Sequence, residues 1–118
     1  MAKDKNADKR HEYNLSILYA EQAYDELQAE KVQLDNLLVN LEDNLTQSFR
    51  RQAQLEEETI QMGGRGQSFS EVSERKQSFM RSLSEQRDEL EGAYRVKLQS
   101  LDDEREQLQK ERDKLSWE

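Results

Sequence analysis

Few residues in this chain are equipped for chemistry. There is one histidine, His11, and no cysteine, so a disulfide framework and thiolate metal ligation are excluded from the start. Histidine and carboxylates do not recur at the spacing a transition metal requires, and no carboxylate pair is held in a concave scaffold that would exclude water. Three of the four glycines fall in Gly63-Gly64-Arg65-Gly66. That cluster lacks the lysine and hydroxyl residue of a phosphate loop, and no strand precedes it, so it is not a nucleotide site. Tyr13, Tyr19 and Tyr24 could form an aromatic cage, but two of them sit on an apolar stripe, where tyrosine acts as core with a hydrogen-bonding tip. The run Glu56-Glu57-Glu58 reads as a solvated face, or as steering toward a basic partner. The expectation is a binding protein with no enzymatic activity, cofactor or metal.

What positions these residues is helix. Across 118 residues, 37% are charged against 33% hydrophobic, and proline is absent, which is the composition of a long-helix or coiled-coil protein. Glycine costs a helix interior about 1 kcal/mol relative to alanine. The cluster Gly63, Gly64 and Gly66 therefore ends one helix near Met62 and forms a turn. Ser68-Phe69-Ser70-Glu71 follows, with a serine N-cap and a glutamate at the third helical position as a capping box for the next helix. The reading is a disordered tail over 1–7, helix one over 8–62 with Asp8 as N-cap, a turn over 63–68 and helix two over 69–116.

Both helices carry heptad stripes. Helix one runs Tyr13, Ile17, Ala20, Tyr24, Leu27, Lys31, Leu34, Leu38, Leu41 and Leu45, then loosens through Phe49, Gln52, Leu55 and Met62 as at a stutter. Helix two runs Phe69, Val72, Phe79, Leu83, Leu90, Tyr94, Leu98, Leu101, Leu108 and Leu115, with Arg105 and Arg112 at seam positions. Facing numbers add to ~130 for Phe49 with Phe79, Leu45 with Leu83, Leu41 with Leu90, Leu38 with Tyr94, Leu34 with Leu98, Tyr24 with Leu108 and Ile17 with Leu115, as antiparallel arms require. Trp117 falls near Tyr13 as an aromatic clasp. The fold expected is all-α: an antiparallel hairpin of two long, coiled-coil-like helices.

A second row lies off this seam at intervals of seven: Leu18, Asp25, Val32, Val39, Thr46, Ala53 and Ile60. Its apolar members Leu18, Val32, Val39 and Ile60 read either as ordinary surface residues or as a face for another helical protein or a second copy. Gly92-Ala93 in helix two is either a tolerated exposed pair or a place where a third helix comes close. The formal charge of -8 disfavours a nucleic-acid backbone or an anionic membrane as partner. No apolar run is long enough for a transmembrane helix or a signal-peptide core, so synthesis in the cytoplasm is expected, with leaderless export left open.

A leaderless acidic hairpin turning at Gly63-Gly64-Arg65-Gly66, with Phe69 and Phe79 beyond the turn, resembles the small helical partners encoded beside LXG-type toxins of Gram-positive type VII secretion. The stretch Arg87-Asp88-Glu89-Leu90 through Leu101-Asp102-Asp103-Glu104-Arg105-Glu106-Gln107-Leu108 is similar to the second class of those partners. The resemblance implies a targeting, chaperone-like protein that binds the helical N-terminal domain of a toxin beside another small helical partner. The chain lacks Trp-x-Gly at its turn, and no Tyr or Phe is followed four positions later by Asp or Glu, so the export signal would come from the toxin's other partner. Two further readings stay open: a structural coiled-coil protein that self-associates as a four-helix bundle, and a hairpin like the stalk of a secretion ATPase.

Overall fold

A computed structural model describes residues 6–63 and 69–115. It contains two helices, α1 (Ala7–Gln61) and α2 (Phe69–Asp113), and the fold is an all-α antiparallel helical hairpin, as the paired stripes predict. Gly64, Gly66, the Ser68 cap and Trp117 of the expected clasp lie outside the described residues.

The helix ends have local causes. Asp8 is not the N-cap of α1 but an acid in its first turn, where a carboxylate offsets the positive end of the helix dipole. Asn6 takes the position before Ala7, and its carbonyl accepts the Arg10 N–H at 2.8 Å. At the other end the Gly63 N–H reaches back to the Ile60 carbonyl at 3.0 Å, and Gly63 turns to φ 82°. That left-handed conformation suits only glycine well, which is why α1 stops there. No basic residue occupies the last turn of α1, whereas Lys110 and Arg112 sit in the last turn of α2. Two backbone bonds, Lys114 N–H to Lys110 O and Leu115 N–H to Arg112 O, both 3.1 Å, close α2 slightly short of the expected 116.

By internal packing the chain divides into two units, Met1–Val32 with Glu91–Glu118, and Gln33–Leu90. In the first, Ile17, Ala20 and Leu98 are buried, and Tyr13, Tyr24, Leu27, Lys31, Leu101, Arg105, Leu108 and Arg112 are half-buried. These are the predicted seam positions, with Lys31 and both arginines among them. The two helices run in opposite directions: Arg112 Nη1 donates to Asn14 Oδ1 at 3.0 Å, and further along α1 Ala20 and Tyr24 share a cleft with Leu101 and Arg105.

In the second unit Val72 and Leu83 form the buried apolar core. Here the seam departs from the leucine pattern. Leu41 is 46% exposed and Leu55 57% exposed, while Glu42 is half-buried and Glu56 buried. The seam of α1 runs Leu34, Leu38, Glu42, Leu45, Phe49, Gln52, Glu56. Two successive steps of four, at 34–38–42, mark a stutter earlier than the expected one after Leu45. On α2 the equivalent slip runs Val72, Lys76, Met80, Leu83 and leaves Phe79 exposed at the margin. Its ring still lies 6.2 Å from that of Phe49, inclined at 44°. Met62, expected to continue the stripe, is exposed.

Candidate functional site

The seam of each unit contains charge that a coiled coil need not carry. In the Gln33–Leu90 unit, Arg87 Nη1 donates to Glu42 Oε2 at 3.0 Å across the helices. Both side chains remain partly in water, so the pair sets register more than it adds stability. Glu56 differs: it is 8% exposed, and its Oε2 is buried without a hydrogen-bond partner among the described residues. It lines a cleft of about 190 Å³ with Phe49, Arg50, Ala53, Val72, Ser73 and Lys76. Val72 belongs to the first turn of α2, so Glu56 shares its cleft with the N-terminal turn of that helix, whose dipole favours negative charge and partly offsets the desolvation.

In the other unit, Arg105 lies at the seam and donates through Nε and Nη2 to Asp102 Oδ1, at 3.2 and 2.8 Å. That hydrogen bond, ahead of the neighbouring carboxylate charges, raises the Arg105 pKa above its usual value. Arg105 therefore stays charged and lines an open cleft with Glu21, Tyr24 and Asp25. The tyrosines divide as expected: Tyr13 and Tyr24 are half-buried, and Tyr19 is exposed. Among the described residues no group of His, Cys, Asp and Glu is placed to hold a metal ion, and no helix is long and apolar enough to cross a membrane.

The off-seam row breaks in two. Leu18, Val32 and Val39 are exposed, each one residue past a seam position, Ile17, Lys31 and Leu38. Thr46 and Ala53 keep that offset, one residue past Leu45 and Gln52, but are half-buried. Ile60 is exposed and stands four residues after Glu56, the same step that separates Gln52 from Glu56. At Gly92 an added methyl would meet nothing within 4 Å, so the chain's own packing does not require that glycine.

A second set of exposed apolar residues escaped the sequence reading. Leu37, Leu41 and Leu55 each come one residue before a seam position of α1, namely Leu38, Glu42 and Glu56, and Phe79 comes one before Met80 on α2. The signal is present in the sequence, but residue type places Leu41 and Leu55 on the seam, because leucine is the usual seam residue. Compared with protein-family models, with curated proteins and with solved structures, the chain matches none.

Proposed function

We propose that this chain is a non-catalytic targeting partner that binds the helical N-terminal domain of a type VII secreted toxin and helps deliver it to the secretion apparatus. The observation that carries the reading is the one-residue-past-seam row: Leu18, Val32 and Val39 stand in water on a hairpin whose buried apolar residues, among those described, are only Ile17, Ala20, Val72, Leu83 and Leu98. An apolar row at helical spacing is what helix-in-groove recognition uses. The resemblance to LXG-toxin partners supplies the identity of the cargo, and the acidic balance of -8 favours a basic helical surface on it.

The test uses the full chain and a purified helical N-terminal domain of an LXG toxin. Light scattering of the mixture is expected to give a stable complex, and Val32→Asp/Val39→Asp is expected to weaken it at least about tenfold, as loss of central apolar anchors does. Absence of a complex with wild-type chain, or an unchanged affinity for the double variant, would remove the reading.

A further inference from the structure

We infer that a second copy of this chain covers the opposite side of the Gln33–Leu90 unit, through Leu37, Leu41, Phe79 and Leu90. This goes beyond the toxin-partner reading and does not depend on it.

Helix geometry places these four side chains together. Glu42 and Arg87 meet at the seam, which gives a fixed reference. Leu41 lies one residue before Glu42, a turn of about 100° backward around α1. Leu90 lies three residues after Arg87, which on α2 is a turn of about 60° in the same backward sense. Because the helices are antiparallel, equal senses of rotation bring both leucines to one side of the pair. Leu37 and Phe79, each one residue before a seam position, turn to that side as well. All four are exposed, Leu37 at 64% and Phe79 at 55%.

Charge separates this side from the other. From 37 to 50 and from 79 to 90 the remaining one-before-seam positions are Asn44, Ser48, Ser82 and Gln86, and none carries charge; Arg51 and Arg75 lie just beyond that span. Across the seam, the one-after positions of the same stretches include Asp43, Arg50, Arg81 and Asp88. A basic partner gains nothing from an uncharged face. A second copy gains most there, since two chains of formal charge -8 can meet on it without placing like charges opposite each other.

A two-fold pairing through one patch is isologous and closed, and it would complete a four-helix packing from two hairpins.

The experiment is sedimentation equilibrium of the full chain at several concentrations, with Leu37→Glu/Leu41→Glu, Leu37→Glu alone, and Val32→Asp/Val39→Asp beside it. Glutamate keeps helix propensity, and circular dichroism checks that each variant remains helical. The wild type and Val32→Asp/Val39→Asp are expected to be dimers, while both Leu37 variants dissociate with a constant raised about tenfold or more. Should the double Leu37/Leu41 variant lose helix, Leu37→Glu decides, because its side chain is outside the hairpin core. A monomeric wild type at every concentration, a mass above two chains, or dissociation caused by Val32→Asp/Val39→Asp instead would overturn the inference. Toxin binding by a monomeric wild type would do so while leaving the targeting role intact.

Discussion

Replacing Glu56 by leucine is expected to stabilise the protein. A buried acceptor left without a donor costs about 1–3 kcal/mol, and Glu56 Oε2 has no donor among the described residues. Leucine and glutamate have nearly the same helix propensity, and Phe49, Ala53 and Val72 in the adjoining cleft offer apolar contacts to the new side chain. Against this stands the loss of a carboxylate beside the N-terminal turn of α2, about 0.3–1 kcal/mol. The balance is a gain of about 1–2 kcal/mol. For a chain of this size each kcal/mol moves Tm by roughly 3–6 °C, so Glu56→Leu should melt several degrees above wild type. The assay is thermal unfolding followed by circular dichroism at one protein concentration, because association makes Tm depend on concentration. Glu57→Leu, at an exposed neighbour, serves as control and should stay within about 0.5 kcal/mol. A Tm lowered by a similar amount in Glu56→Leu would show that the carboxylate is paired and that the reasoning from its orphaned oxygen is wrong.

Further expectations concern the seam and the glycines. Ile17→Ala should cost about 2–5 kcal/mol by denaturant unfolding, as truncation of a buried isoleucine does, whereas Leu18→Ala, one residue away and exposed, should stay within about 0.5 kcal/mol. Gly92→Ala should raise stability by about 0.5–1 kcal/mol, since a helical glycine with open space around it has only its entropy to lose. Gly63→Ala, at φ 82°, should lower stability by about 1–2 kcal/mol. A double-mutant cycle on Glu42 and Arg87 should return a coupling of about 0.2–1 kcal/mol that shrinks as salt is added.

The hairpin was legible because two heptad stripes flank one glycine cluster, and residue types there agree with the period: Ile17, Ala20, Leu83 and Leu98 are buried as read. The surface was less legible. At positions 41 and 42 the sequence offers a leucine and a glutamate, and residue type favours leucine for the seam. Phase favours glutamate, and phase prevails because a carboxylate at 42 meets Arg87 across the helices. The same choice recurs at Leu55 and Glu56. A single stutter thus turned Leu41 and Leu55 outward. A glutamate accepted at a seam position becomes readable only when its partner on the other helix is known.

The division of the chain also leads us to expect an order of folding. The Gln33–Leu90 unit is one unbroken stretch of sequence, whereas the other joins Met1–Val32 to Glu91–Glu118, segments separated by that whole stretch. Bringing chain ends together costs entropy that rises with the length between them, by about 0.6 kcal/mol per doubling. Once the contiguous unit has formed, the distant segments start from a shortened effective loop. We therefore expect assembly to begin beside the glycine turn and travel outward, and pulse-labelled amide exchange during refolding should protect α1 in Gln33–Leu90 before α1 in Met1–Val32. Simultaneous protection of both would refute that order. If the order holds, Leu37, Leu41 and Phe79 lie in the part of the chain that forms first, and they are in place while the other unit is still unformed.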